Sequence, residues 1–134
     1  MAMKYSEFIL REKYTLEHKR AFLHIERKLL GQNTWRGFMH DMDKLLWLYP
    51  IAMIAGRNKK WVQSIHRKNN RHHVECTKKR TRQDYIEMII DWECARLTKS
   101  DKPLDAHDTM QKYYPHLQDI ILPLLREFGL EHQK

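Results

Sequence analysis

Thr81-Arg82-Gln83-Asp84-Tyr85-Ile86-Glu87-Met88-Ile89-Ile90-Asp91-Trp92-Glu93-Cys94-Ala95-Arg96-Leu97-Thr98 is the stretch on which the fold turns. Thr81, with Asp84 three positions on, reads as a helix N-terminus. From Arg82 to about Thr98, the residues Ile86, Met88, Ile89, Ile90, Trp92, Cys94, Ala95 and Leu97 surround the predicted helix on nearly all sides. A helix apolar all round belongs in the middle of a bundle. One narrow stripe interrupts it, where Asp84, Glu87, Asp91, Ala95 and Thr98 share a face. A carboxylate at Asp91, in the centre of a buried helix, needs an arginine or a metal ion beside it.

The rest of the chain agrees with an all-α bundle. Its 134 residues suffice for one domain, 1–134, with a real core. Gly and Pro number four each, while Leu, Ile, Met, Glu, Lys and Arg are plentiful. The spacing predicts a single-domain compact bundle of about six or seven helices. No apolar run reaches the roughly 20 residues that cross a bilayer, so no membrane association is expected. The N-terminal MAMKYSEFILREK lacks the pattern of a signal peptide, and Cys76 and Cys94 have no metal-finger spacing. A cytoplasmic protein with free thiols is the simplest expectation.

Working back from the central helix, a first long helix is predicted over about Thr15 to Leu30, with room for a separate helical segment before it. Tyr14, Phe22, Ile25 and Leu29 recur there at helical spacing. His18 falls on that apolar stripe, while His24 shares the opposite face with Glu17, Arg20 and Lys28. Gly31 ends the helix and Asn33 or Thr34 can cap the next, a short one that delivers His40-Asp41. Lys44 to Ala55 is strongly apolar, and Pro50 should kink it or split it in two. Asn58 can cap a further helix running through Trp61, Val62 and Ile65 to His66. Trp47, Trp61 and Trp92 lie in apolar helices and are expected in the core. Beyond the central helix, 100–103 reads as a turn and Leu104 to Tyr114 as a modest helix. His116 to Phe128 reads as a final helix with Ile120, Ile121, Leu124, Leu125 and Phe128 as its apolar face. His107, His116 and His132 look like surface residues.

Two stretches carry chemistry. Phe38-Met39-His40-Asp41-Met42-Asp43-Lys44 packs an imidazole and two carboxylates into four positions. That nitrogen and oxygen mixture suits zinc, manganese or iron. His66-Arg67-Lys68-Asn69-Asn70-Arg71-His72-His73 has no apolar side chain. It is a polar loop, a helix end or the wall of a polar pocket, and a pocket for metal and phosphate has a use for three histidines. The formal net charge is +8, and cations cluster between Arg67 and Arg82. Such a patch attracts phosphates, including those of nucleic acid.

His18, His40-Asp41 and Asp91 form an ordered His…His-Asp…Asp set drawn from three predicted helices. Here the chain resembles the HD-domain superfamily of metal-dependent phosphohydrolases, all-α bundles built around such a quartet. The resemblance runs from about His18 to Trp92 and takes in His66, Asn70, His72-His73 and Glu87-Met88-x-x-Asp91-Trp92, which look like a small branch of that superfamily. A serine is expected where Asp43 stands, so this chain carries an extra acid near the metal. The resemblance implies that His18, His40, Asp41 and Asp91 hold a divalent ion (Mn, Fe, Zn, Co or Mg), with Asp41 able to bridge to a second. It implies that His66, His72 and His73 either hold that second ion, bind the substrate phosphate or protonate the leaving oxygen. Glu87 would orient a ligand or a water, and Lys44 and Arg71 would screen phosphate charge. The implied activity is hydrolysis of a nucleotide or related phosphate ester. The alternative is a non-catalytic protein of the same fold that holds a nucleotide or nucleic acid.

Overall fold

The structure is a computed structural model and describes residues 3–98 and 104–132. The turn expected at 100–103 lies outside the described residues. Among those residues there are seven α-helices and no strand: α1 Tyr5–Leu30, α2 Trp35–Met39, α3 Tyr49–Ala55, α4 Lys59–Asn69, α5 Arg82–Thr98, α6 Ala106–Tyr113 and α7 Gln118–Glu127. A π-helical segment, Lys44–Leu48, leads into α3, and a 3-10 turn, Pro115–Leu117, leads into α7.

α5 lies at the centre because it has apolar residues to bury on two sides. Ile90 and Cys94 pack against Phe22 and Ile25 of α1. Met88, Ile89 and Trp92 pack against Ala106 and Met110 of α6, Leu117, and Ile121, Leu124 and Leu125 of α7. A third, smaller cluster joins Met3, Tyr49 and Ala52 to Val62 of α4. Burial of each such side chain contributes about 1.5–3 kcal/mol, so α5 ties the two halves of the core together. Its apolar girdle is incomplete, since Leu97 near its C-terminus is exposed.

Further expectations are corrected. The first helix does not begin near Thr15 but runs unbroken from Tyr5; its N-terminal half exposes Tyr5, Ile9 and Leu10, so no single apolar face announces it. Trp47 is 55% exposed rather than core, and Ile120 also faces outward. His107 is buried, and its Nδ1 accepts the backbone N–H of His132 at 2.7 Å. α4 continues past His66 to Asn69. The run from Lys44 to Ala55 does divide beside Pro50, by a change of helix type, with Pro50 in the first turn of α3. Proline lacks the N–H that would bond back one turn, and its ring crowds the carbonyl there. The wider π turn over Lys44–Leu48 precedes it, closed by Tyr49 N donating to Lys44 O.

The turn into α2 is built around one buried carboxylate. Thr34 donates to Glu26 through its backbone N (2.9 Å) and its Oγ1 (2.6 Å), while Thr34 Oγ1 caps α2 by accepting from Gly37 N at 3.0 Å. Gly37 lies against that carboxylate so closely that a Cβ would overlap it. Glu26 can retreat only by releasing Thr34. Gly37→Ala is therefore expected to lower stability by about 1–3 kcal/mol, read as a reduced midpoint in urea unfolding. An unchanged midpoint would mean that Glu26 does not clamp this turn.

Candidate metal centre

His40 and Asp41 sit where α2 ends. The last carbonyls of α2 need donors, and Lys19 supplies them: its buried Nζ donates to Phe38 O at 2.5 Å and to His40 O at 2.7 Å. A cation at a helix C-terminus is also favoured by the helix dipole. Asp41 then takes a left-handed backbone, φ 58°, the one non-glycine residue to do so among those described. Asp tolerates this region better than most residues. The turn drives both side chains inward, toward α1, α4 and α5.

Two groups of ligand atoms form around Asp41. In the first, His18, His40, Asp41 and Asp91 each offer one atom, all within 4.8 Å of one another. Asp91 Oδ1 lies 2.7 Å from His18 Nε2 and 3.1 Å from His40 Nε2. In the second, Asp41, His66, His72 and His73 satisfy the same limit. Asp41 Oδ1 lies 2.9 Å from His66 Nε2 and 3.6 Å from His72 Nε2. Asp41 is common to both. Asp91 is the least enclosed of these ligands in the first group, its side chain 15% exposed, while His40 and His66 are fully enclosed.

Carboxylates stand behind the imidazoles. Glu87 Oε2 lies 2.9 Å from His40 Nδ1 and 2.6 Å from His72 Nδ1. Asp43 lies 2.9 and 2.7 Å from His66 Nδ1 through its two oxygens. Ionised carboxylates only accept, so each Nδ1 carries a proton and each Nε2 is directed at the centre. Such outer partners fix the tautomer and orientation of a metal-binding histidine. Arg36 holds the outer side of Glu87 at 3.2 Å and also binds Asp84 at 2.6 Å. Asn70 Nδ2 donates to Asp43 Oδ2 at 3.1 Å and to His66 O at 2.6 Å.

The electrostatics follow from crowding four carboxylates around these rings. Burial would push the His40 imidazole down, but Asp41, together with hydrogen bonds to Asp91 and Glu87, raises it to about 10. His72 moves the same way: burial opposes its charge, and Asp41 and Glu87 prevail. Asp41 and Asp91, despite burial, are held well below the usual carboxylate range, Asp41 by His40 and Lys44 and Asp91 by His18 and His40. His73 is different. Burial, and then the neighbouring His72, lower it to about 2, so its ring is neutral. A pocket with this surplus of anionic oxygen draws positive charge, as protons or as a cation.

A cation fits the donor set. Asp41 Oδ1, His66 Nε2 and His72 Nε2 are buried with no well-aligned hydrogen-bond partner, although they approach one another. Buried polar atoms rarely go unsatisfied, and these three converge. Mixed imidazole and carboxylate ligands suit zinc, iron, manganese or cobalt.

Of the other residues expected here, Lys44 reaches the site, with Nζ 3.6 Å from Asp41 Oδ2. Arg71 does not; it is exposed just beyond α4 and makes no hydrogen bond or ion pair among the described residues. Within the basic stretch, Arg80 is occupied with Val74 O and Cys76 O, and Arg82 pairs with Glu127 at 2.5 Å. Sequence reasoning missed Lys19 and Arg36, whose roles depend on long-range packing. It registered Asp43 and Asn70 without their task of holding His66. The signal was there, an acid two residues after His40-Asp41 and an amide four after His66.

The chain matches no protein-family model, no curated protein and no solved structure.

Proposed function

We propose that the chain is a metal-dependent phosphohydrolase of the HD-domain type, acting on a nucleotide or related phosphate ester. The observation that supports this reading most is the convergence of Asp41 Oδ1, His66 Nε2 and His72 Nε2, buried and without a well-aligned hydrogen bond, beside the His18, His40 and Asp91 group. One ion would be held by His18, His40, Asp41 and Asp91, and a second by Asp41, His66, His72 and His73. When bound, divalent ions supply Lewis-acid polarisation of a phosphoryl oxygen and acidify water. The chain's own residues do the rest. Glu87 keeps protons on His40 Nδ1 and His72 Nδ1, and Asp43 keeps one on His66 Nδ1, so the lone pairs at Nε2 stay directed inward. Lys44, partly exposed beside Asp41, would hold a phosphate oxygen. Asp91, on the more open side, is where an ester would approach.

The test is metal content of the purified protein, followed by phosphate release from a panel of nucleotides and phosphodiesters with Mn²⁺, Co²⁺ or Mg²⁺. The expected result is bound transition metal and hydrolysis that EDTA abolishes and metal restores. Metal binding without cleavage of any ester would leave a non-catalytic nucleotide binder. Metal content unchanged by His40→Ala would remove the site assignment itself.

A further inference from the structure

The outer face of α4 is unlike the rest of the surface. Segment 59–82 holds nine Lys or Arg residues (59, 60, 67, 68, 71, 78, 79, 80 and 82) against one acid, Glu75. That excess of eight equals the whole chain's formal +8, so the remainder of the chain is balanced. α4 itself contains no acid. Its inner face carries Val62 and His66, both buried, while Lys60, Ser64, Arg67 and Lys68 are exposed. These residues line a groove of about 340 Å³ together with Gln63 and Glu75. Lys60, Arg67, Lys68 and Arg71 make no ion pair among the described residues, unlike Arg82.

We propose that this groove is a binding track for the phosphate backbone of a polynucleotide. Three arguments support that partner. Cations at 60, 67 and 68 lie along one side of α4, a run of about 12 Å at 1.5 Å per residue, long enough for more than one phosphate, and Arg71 follows just past the helix end. Gln63 and Ser64 add neutral donors between them, of the kind that bind backbone phosphates. The face lacks the exposed large apolar residues that a membrane-surface helix inserts into lipid: Val62 is buried and Trp61 and Ile65 are partly covered. Glu75 is the one acid on the groove wall, which confines phosphate to the Lys60–Arg67–Lys68 side. The track lies on the opposite face of the helix that supplies His66, and it stands whether or not the metal centre hydrolyses anything.

The experiment uses a fluorescein-labelled single-stranded 20-nucleotide DNA, titrated with the full chain in EDTA at several KCl concentrations. Binding is expected to weaken linearly on a log–log plot against salt. The triple variant Lys60→Ala/Arg67→Ala/Lys68→Ala should lower affinity at least about tenfold at low salt and reduce the slope by about 2, near 0.7 per lost phosphate contact. A control with Lys13→Ala/Lys28→Ala, at exposed positions of α1, should leave both unchanged. Unaltered thermal melting and metal content of the triple variant would assign the loss to the groove. No binding at 50 mM KCl, a wild-type slope in the triple variant, or displacement of the DNA by polyglutamate as readily as by unlabelled DNA would each overturn the proposal. Because the binding arms run in EDTA, their failure is distinct from a failure of hydrolysis.

Discussion

Asp41→Asn is expected to strip both ligand groups of metal at once while leaving the helical fold in place. Asp41 is common to the two groups, and its Oδ1 lies 2.9 Å from His66 Nε2 and 3.5 Å from His40 Nε2. Asn keeps the shape and, like Asp, accepts the left-handed backbone that Asp41 adopts at φ 58°. It removes the charge that the two ligand groups share. Ala would add backbone strain of about 1–2 kcal/mol, so the Asn variant is the cleaner probe. Metal content should fall toward zero equivalents. Hydrolysis should drop by about 10³-fold or more, corresponding to the several kcal/mol that a bound ion contributes in the transition state. Far-ultraviolet circular dichroism should be unchanged. His18→Ala and His73→Ala serve as comparisons, because each touches one group only and should lose one equivalent. Full metal content in Asp41→Asn would show that Asp41 is not needed by either group, and loss of one of two equivalents would show that it serves a single group.

Much of this arrangement was legible in the chain, for reasons that differ from residue to residue. The position of α5 could be read because its apolar residues have no preferred side, which only a central helix can satisfy. Helical phase separated His18, which is buried, from His24, which is exposed. Asp91 stood out as an acid among Ile90, Trp92 and Cys94, and it meets His18 and His40 at hydrogen-bond distance. What could not be read depends on contacts between distant residues. Lys19 is an ordinary helix cation until α2 brings two carbonyls to its Nζ. Glu26 is an ordinary surface acid until Thr34 and Gly37 close over it. Trp47 lies in an apolar run, but such a run does not say which residues face the core, and this one faces out. The all-polar stretch after His66 gave no period, so the extra turn of α4 to Asn69 was hidden.

Glu87 separates a positioning role from a catalytic one. Its Oε2 lies 2.9 Å from His40 Nδ1 and 2.6 Å from His72 Nδ1, and Arg36 occupies its Oε1 at 3.2 Å. One carboxylate thus backs a histidine in each ligand group. Both imidazoles use Oε2 while Arg36 donates to Oε1, so Gln at this position must turn its NH₂ either toward the two Nδ1–H groups or toward Arg36. With its oxygen kept on Arg36, both imidazoles would face a donor and move their protons to Nε2, onto the lone pair a metal needs. Glu87→Gln is therefore expected to weaken metal binding about 10–100-fold in both groups, measured by competition with a chelator. On the proposed function, hydrolysis should recover when metal is raised to saturation, because Glu87 reaches the centre only through the two imidazoles. Asp43→Ala provides the contrast: Asp43 backs His66 alone, so the weakening should be confined to the second group. Glu87→Asp, one methylene shorter, retains both acceptor oxygens and should restore part of the affinity. If Glu87→Gln binds both equivalents as tightly as the parent chain, the carboxylate does not set the tautomers. If affinity is unchanged while hydrolysis at saturating metal collapses, Glu87 acts on the reacting groups, and the water-orienting role implied by its place one turn before Asp91 is the correct one.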